Sequence, residues 1–205
     1  MNKLLSTTLV IIVSLISSYG LQAQSNTSLG LRVGLNVANL TGENVNTEGP
    51  RNGLLIGGFY THSISNDFGI SGELLYSQQG ARGKTATGQE FTAELNYLQI
   101  PVYGNYFLKV SDAVYLKLMF GPTVGILLDA EQDFENGNSV ETTDSYNSAD
   151  YGLLGGVGMH YSLGNKMWLN LDARYNLGLA TVSENADIDI NNSVFSLVLG
   201  LSFGL

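Results

Sequence analysis

Five charged side chains lie in segments that are otherwise mostly apolar, and each occupies the more polar parity of its segment. They are Arg32, Glu73, Lys117, Asp172 and Arg174. If these segments surround one narrow interior, the ionised groups must pair with one another to offset their lost hydration. Two interpretations stay open: a structural plug that fills the interior with side chains, or a gated ion path lined by the same residues.

A second group of charges is acidic and lies in one polar stretch, residues 129–149, which contains no lysine or arginine. Its members are Asp129, Glu131, Asp133, Glu135, Glu141 and Asp144. Clustered carboxylates suit a hard cation such as calcium, but the spacing fits no compact calcium loop. We predict a solvated acidic loop and no metal site, with a weak divalent-cation site as the alternative.

The elements that must position these residues show a period of two, which is typical of strands with one apolar face. The alternation is cleanest in residues 29–38 and 192–205. In the last segment Phe195, Leu197 and Leu199 alternate with Ser196 and Val198. The predicted strands are residues 29–38, 54–64, 68–78, 95–108, 114–128, 150–163, 167–179 and 192–205. The second strand is apolar on both parities, so its faces are not assigned.

The connections between these eight strands alternate in length. The long ones are residues 39–52, 80–93, 129–149 and 180–191, and the short ones are residues 65–67, 110–112 and 164–166. This alternation predicts an all-β, eight-stranded antiparallel up-and-down transmembrane β-barrel. The first and last strands should pair to close it. Pro101 predicts a bulge or local irregularity in the fourth strand, because proline cannot donate a ladder hydrogen bond.

A soluble eight-stranded barrel is the alternative fold, with its apolar parity inside. The apolar last strand, which continues to Leu205, disfavours it. So do aromatic residues near strand ends, where a membrane interface would place them. These are Phe68, Tyr106, Phe107, Tyr161, Trp168 and Phe203.

The amino terminus has the pattern of a cleavable export signal. Lys3 precedes an apolar run over residues 4–16, and mostly small or polar residues lead to a cut expected after Ala23, within a residue or two. We therefore expect a signal peptide over residues 1–23 and one barrel domain over residues 24–205. The formal net charge of −9 argues against nucleic acid as a partner, and the absence of cysteine excludes a disulfide framework.

Several phrases resemble the PorT-like outer-membrane β-barrel family, also described as the outer membrane protein β-barrel domain. Residues 96–101 (NYLQIP) resemble its "YLxIP" phrase, residues 73–77 (ELLYS) its third strand, and residues 172–179 (DARYNLGL) its "ARYxxGL" phrase. Residues 150–158 resemble the start of its sixth strand. The resemblance implies a barrel fold and an outer-membrane location. The secretion role of the member that names the family is not transferred to this chain.

Enzymatic chemistry is the least favoured function class. It would need a nucleophile beside a general base, and the two histidines, His62 and His160, lie in no recognisable motif. Both fall near the predicted periplasmic strand ends, away from outer-leaflet lipid. We predict a non-enzymatic barrel with no catalytic residue and no cofactor. A small porin-like channel is the alternative, followed by a lipid-modifying outer-membrane enzyme.

The expected location is the bacterial outer membrane, with both termini periplasmic. The expected partners are outer-membrane lipid, the barrel assembly machinery, and an envelope or extracellular protein that contacts the long loops. Phe203 and Leu205 resemble the terminal signal that the assembly machinery reads, although Leu205 replaces the usual aromatic.

Overall fold

The computed structural model describes residues 26–42, 47–85, 87–185 and 189–205. The predicted signal peptide, residues 1–23, lies outside the described residues. Within the described ranges the chain is built of strands, with one short 3₁₀ turn at Thr143–Ser145. No helix in this part of the chain is long and apolar enough to cross a membrane.

Eight long strands form a closed antiparallel barrel. They are β1 (Thr27–Thr41), β2 (Thr47–Ser63), β3 (Phe68–Lys84), β4 (Glu90–Lys109), β5 (Val114–Phe134), β7 (Ala149–Gly164), β8 (Met167–Gly178) and β9 (Asn191–Gly204), with the short β6 (Ser139–Glu141) along the outer part of β5. The first and last strands pair, with Leu31 opposite Leu201. Both the eight-stranded fold and this closing pair are therefore confirmed.

The two faces of the barrel wall differ in polarity, and the apolar face is the outer one. Leu31 is 74% exposed, whereas its neighbour Arg32 is 3% exposed. A soluble barrel would have the opposite arrangement, because its apolar side chains would fill the interior. An apolar outer belt over a polar interior is the arrangement of a transmembrane barrel. In β2, whose faces the sequence left unassigned, Leu55 and Phe59 are buried and face inward.

The two ends of the barrel are unlike. At the turn end the connections are short, residues 64–67, 110–113 and 165–166. At the loop end several strands continue well beyond the predicted limits. The predicted loops at 39–52 and 80–93 are largely strand: β3 continues to Lys84 and pairs there with Glu90 at the start of β4. The prediction was wrong because polar residues can continue a hydrogen-bonded ladder without the apolar alternation that marks a lipid-facing strand.

Two irregularities interrupt the ladder between β4 and β5. A bulge makes Leu128 the extra residue, because Asn96 pairs with Asp129 while Tyr97 pairs with Leu127. Pro101 pairs in register with Thr123, and the ladder then lacks pairs until Gly104. The irregularity expected at Pro101 is therefore a gap in the ladder, and the bulge lies closer to the loop end.

Four of the six predicted interface aromatics face outward at the turn end: Phe68, Tyr106, Tyr161 and Phe203. Phe107 and Trp168 instead face the barrel interior, where they line a cavity. The prediction was wrong for these two residues because they fall on the inward parity of β4 and β8. A position near a strand end does not by itself determine whether a side chain faces the lipid or the barrel interior.

Candidate functional site

The structure brings the five sequence-predicted charges together in the barrel interior, nearer the turn end. All five side chains are almost completely buried. Arg32 comes from β1, Glu73 from β3 and Lys117 from β5, while Asp172 and Arg174 lie two residues apart on β8. Two residues is one strand repeat, so both β8 side chains point inward at adjacent levels. We call these five residues the charged cluster.

Each carboxylate of the charged cluster contacts more than one cation. Glu73 forms ion pairs with Arg32 and with Arg174, the latter at 2.8 Å between Nη1 and Oε2. Asp172 pairs with the Lys117 ammonium at 2.8 Å and with Arg174 Nη2 at 2.8 Å. Arg174 therefore bridges the two acids, and the guanidinium plane suits such paired contacts.

Two aromatic residues complete the cluster, and sequence reasoning did not assign them to it. The Tyr103 hydroxyl donates a hydrogen bond to Glu73 and accepts one from Arg174 at 3.3 Å. The Arg32 guanidinium lies 3.7 Å from the centre of the Phe59 ring, a cation–π contact. Tyr103 lies on the inward parity of β4, so the strand pattern could have placed it in the barrel interior. Phe59 lies in a segment that is apolar on both parities, so no sequence pattern indicated its direction.

Glycines on neighbouring strands make room for these large side chains. Arg32 is flanked by Gly57 on β2 and Gly200 on β9. Gly158 on β7 lies opposite both Lys117 and Asp172. A Cβ atom at Gly158 would lie 2.1 Å from Asp172 Oδ1. Glycine at position 158 of β7 therefore leaves room for the Asp172 carboxylate.

A cluster of buried apolar side chains lies in the barrel interior between the charged cluster and the loop end. This apolar cap consists of Leu40, Ala81, Leu95, Tyr97, Leu127, Ala130 and Val182, with Tyr146 and Ile190 packed against it. The bulge at Leu128 turns Ala130 inward to join it. Asn147 fixes the covering loops by donating from Nδ2 to the carbonyls of Thr181 and Ser183, both at 2.9 Å.

The two histidines lie at the turn end, as the sequence indicated, but in different environments. His160 lines the lumen, with Nε2 3.5 Å from the Lys117 ammonium. His62 faces outward on β2. Among the described residues, neither imidazole is hydrogen-bonded to a serine, a threonine or a carboxylate, so a nucleophile–base pair is not formed there.

The acidic stretch at the loop end is partly ordered by local hydrogen bonds. Asp129 accepts a hydrogen bond from Asn96 at 2.8 Å, and Asp133 accepts one from Ser139. Glu131 lies opposite Glu141 in the ladder between β5 and β6. In the part of the chain that the structure describes, no group of three or more His, Cys, Asp or Glu residues is arranged to hold a metal ion.

A closed barrel with an apolar outer belt and buried charged and polar side chains in its interior is the architecture of a transmembrane β-barrel of the bacterial outer membrane. The family described as "Outer membrane protein beta-barrel domain" matches residues 22–184, and the chain belongs to that family. No curated protein shows significant similarity to the chain.

Solved structures show the same fold at low sequence identity. Neisserial surface protein A (NspA) of Neisseria is 14% identical with a TM-score of 0.57, covering 90% of this chain and 100% of NspA. The outer membrane protein OprG of Pseudomonas aeruginosa is 11% identical with a TM-score of 0.51, covering 89% of this chain and 98% of OprG. At these identities the likeness is one of fold.

Proposed function

We propose that the protein is a non-enzymatic outer-membrane barrel with a closed lumen, which presents its loop end to a protein partner in the envelope or outside the cell. The observation that supports this proposal is that two layers of buried side chains, the charged cluster and the apolar cap, lie in the barrel interior. Mutually paired buried charges rigidify an interior, and an eight-stranded barrel is narrow enough for side chains to fill. The specific PorT-like assignment is part of the same proposal and rests on the resembling phrases.

Conductance tests the closed lumen against the porin-like alternative. We expect the purified, heat-modifiable barrel to give no steady large conductance in planar bilayers, because an ion would have to displace both layers. Protein-free detergent of the same batch is the control. A steady, large single-channel conductance would overturn the closed-lumen proposal and favour a small channel built on the charged cluster.

The proposed orientation puts the turn end in the periplasm and the loop end outside the cell. The chain has no cysteine, so single cysteines can be introduced as reporters. Val140 at the loop end is half exposed, and Asp112 lies in a turn-end connection. In intact cells we expect a membrane-impermeant maleimide to label Val140→Cys and to leave Asp112→Cys unlabelled, while both are labelled after lysis. The reverse pattern would invert the orientation.

The same labelling tests the proposed assembly signal. Phe203 faces outward on β9, within the strand that closes the barrel against β1. If Phe203 and Leu205 are read by the assembly machinery, deletion of residues 203–205 from the Val140→Cys protein should abolish surface labelling and leave the chain in the periplasm. Unchanged labelling of this truncation would refute the assembly role.

A further inference from the structure

An open cavity of about 710 Å³ lies at the turn end of the lumen, next to the charged cluster. Aromatic rings form part of its wall. Phe107 lies 5.2 Å from His160, His160 lies 6.2 Å from Trp168, and Trp168 lies 5.8 Å from Tyr115, measured between ring centres. The cavity is therefore a preformed concave site whose rings pack against one another and which is accessible from solution.

The charge behind this cavity is unbalanced. The charged cluster holds three cations, Arg32, Lys117 and Arg174, against two carboxylates, Glu73 and Asp172. Among the described residues, no third carboxylate forms an ion pair with these cations. A buried excess charge is costly unless a counter-ion offsets it. Lys117 lies nearest the cavity, because its ammonium contacts His160, which lines the cavity wall.

The cavity wall offers hydrogen-bond donors that lack a protein acceptor. An ammonium group has no acceptor, so the ring nitrogen that faces Lys117 must accept, and the proton of neutral His160 is assigned to Nδ1. The Trp168 indole N–H can only donate. Within the described part of the chain, neither His160 Nδ1 nor Trp168 Nε1 is hydrogen-bonded to a protein group. Two N–H donors in one cavity wall, beside an excess positive charge, suit an oxyanion.

The rim of the cavity carries both positive and negative side chains, and these do not reverse the preference of the cavity for an anion. Lys109 and Lys166 line the cavity together with one carboxylate, Asp67. Lys109 is paired at 2.8 Å with Asp112, which lies outside the cavity wall. We propose that this cavity binds a small oxyanion, a carboxylate or a phosphate, whose oxygens accept hydrogen bonds from His160 and Trp168 and whose charge offsets the excess positive charge of the charged cluster.

Trp168 is the single tryptophan of the chain and therefore reports directly on the cavity. Its fluorescence should be followed in the full-length, refolded barrel during titration with inorganic phosphate and, separately, with acetate, at an ionic strength held constant with sodium chloride. We expect a saturable change with at least one of the two anions. The arm that saturates identifies phosphate or carboxylate as the preferred oxyanion.

The decisive variant is His160→Phe, which keeps a ring beside Phe107 and Trp168 but removes the N–H donor. We expect the midpoint of the titration to weaken at least tenfold. His62→Phe is the matched control, since His62 is the other histidine and faces outward on β2 at the same end. It should leave the midpoint unchanged. Heat-modifiable gel mobility verifies folding of both variants.

Two results would overturn the inference: a response of the wild-type protein that never saturates, or a midpoint that His160→Phe leaves unchanged. The first would mean that the cavity binds no anion, and the second that an anion binds without the His160 donor. The titration does not depend on conductance or on the loops, so this inference and the proposed function can fail separately.

Discussion

Replacing Glu73 with glutamine should destabilise the barrel by about 3–5 kcal/mol, the range measured when one partner of a buried ion pair is removed. Glu73 contacts Arg32, Arg174 and the Tyr103 hydroxyl, and its side chain is fully buried. Glutamine keeps the shape and an oxygen acceptor, so the loss comes from the charge. The measurement is urea unfolding of the barrel in lipid vesicles, followed by gel mobility of the folded form.

Glu90→Gln is the matched control for this substitution. Glu90 also pairs with a cation, Lys84 at 3.3 Å, but both side chains are exposed at the loop end. Exposed pairs are screened by water and salt, so the urea midpoint should not move measurably. If Glu73→Gln shifts the midpoint as little as Glu90→Gln does, the charged cluster does not stabilise the fold, and the structural-plug interpretation fails.

A double substitution separates lost charge from lost packing. Glu73→Gln combined with Arg174→Met restores the native balance of one excess positive charge in the cluster. We expect the double variant to be more stable than the sum of the two single losses predicts, because the two residues are in direct contact at 2.8 Å. If the stability loss of the double variant equals the sum of the two single losses, Glu73 and Arg174 act independently. That result would contradict the direct contact between them.

The membership of the charged cluster could be predicted from sequence because strand parity is a local property. Asp172 and Arg174 fall on the polar parity of an alternating segment, which places both inside the barrel. The pairing partners could not be predicted. That Arg174 contacts Glu73, 101 positions earlier, depends on the register of every strand around the barrel, and register is a property of the whole sheet.

The loop end was the least predictable part, for two physical reasons. Outside the lipid belt a strand can be polar on both faces, so the ladder pairing Lys84 with Glu90 leaves no hydrophobic period to detect. The bulge at Leu128 then reverses the parity of β5, so that Ala130 joins the apolar cap. A single inserted residue thus changed which side chains form the apolar cap. Alternation counted outward from the membrane-spanning part of β5 does not reveal this change.

Gly121→Ala should strongly destabilise the barrel wall around the charged cluster. Pro101 pairs with Thr123 and Gly104 with Phe120, so the register places Gly121 opposite Tyr103. A Cβ atom there would lie 2.2 Å from the Val102 carbonyl oxygen and 2.5 Å from Tyr103 Cα. Both obstacles are backbone atoms, so no rotamer change relieves the clash and β4 must move away from β5.

That movement would carry Tyr103 away from the cluster and break its hydrogen bond to Glu73. We expect a loss at or above the upper end of the about 1–3 kcal/mol typical of overpacking, measured as a lower urea midpoint in vesicles. Gly72→Ala on β3 is the control, because a Cβ atom there meets nothing within 4 Å. Equal midpoints for the two variants would mean that the strands separate freely at the Pro101 gap. In that case, tight packing of β4 against β5 is not needed to hold Tyr103 against Glu73.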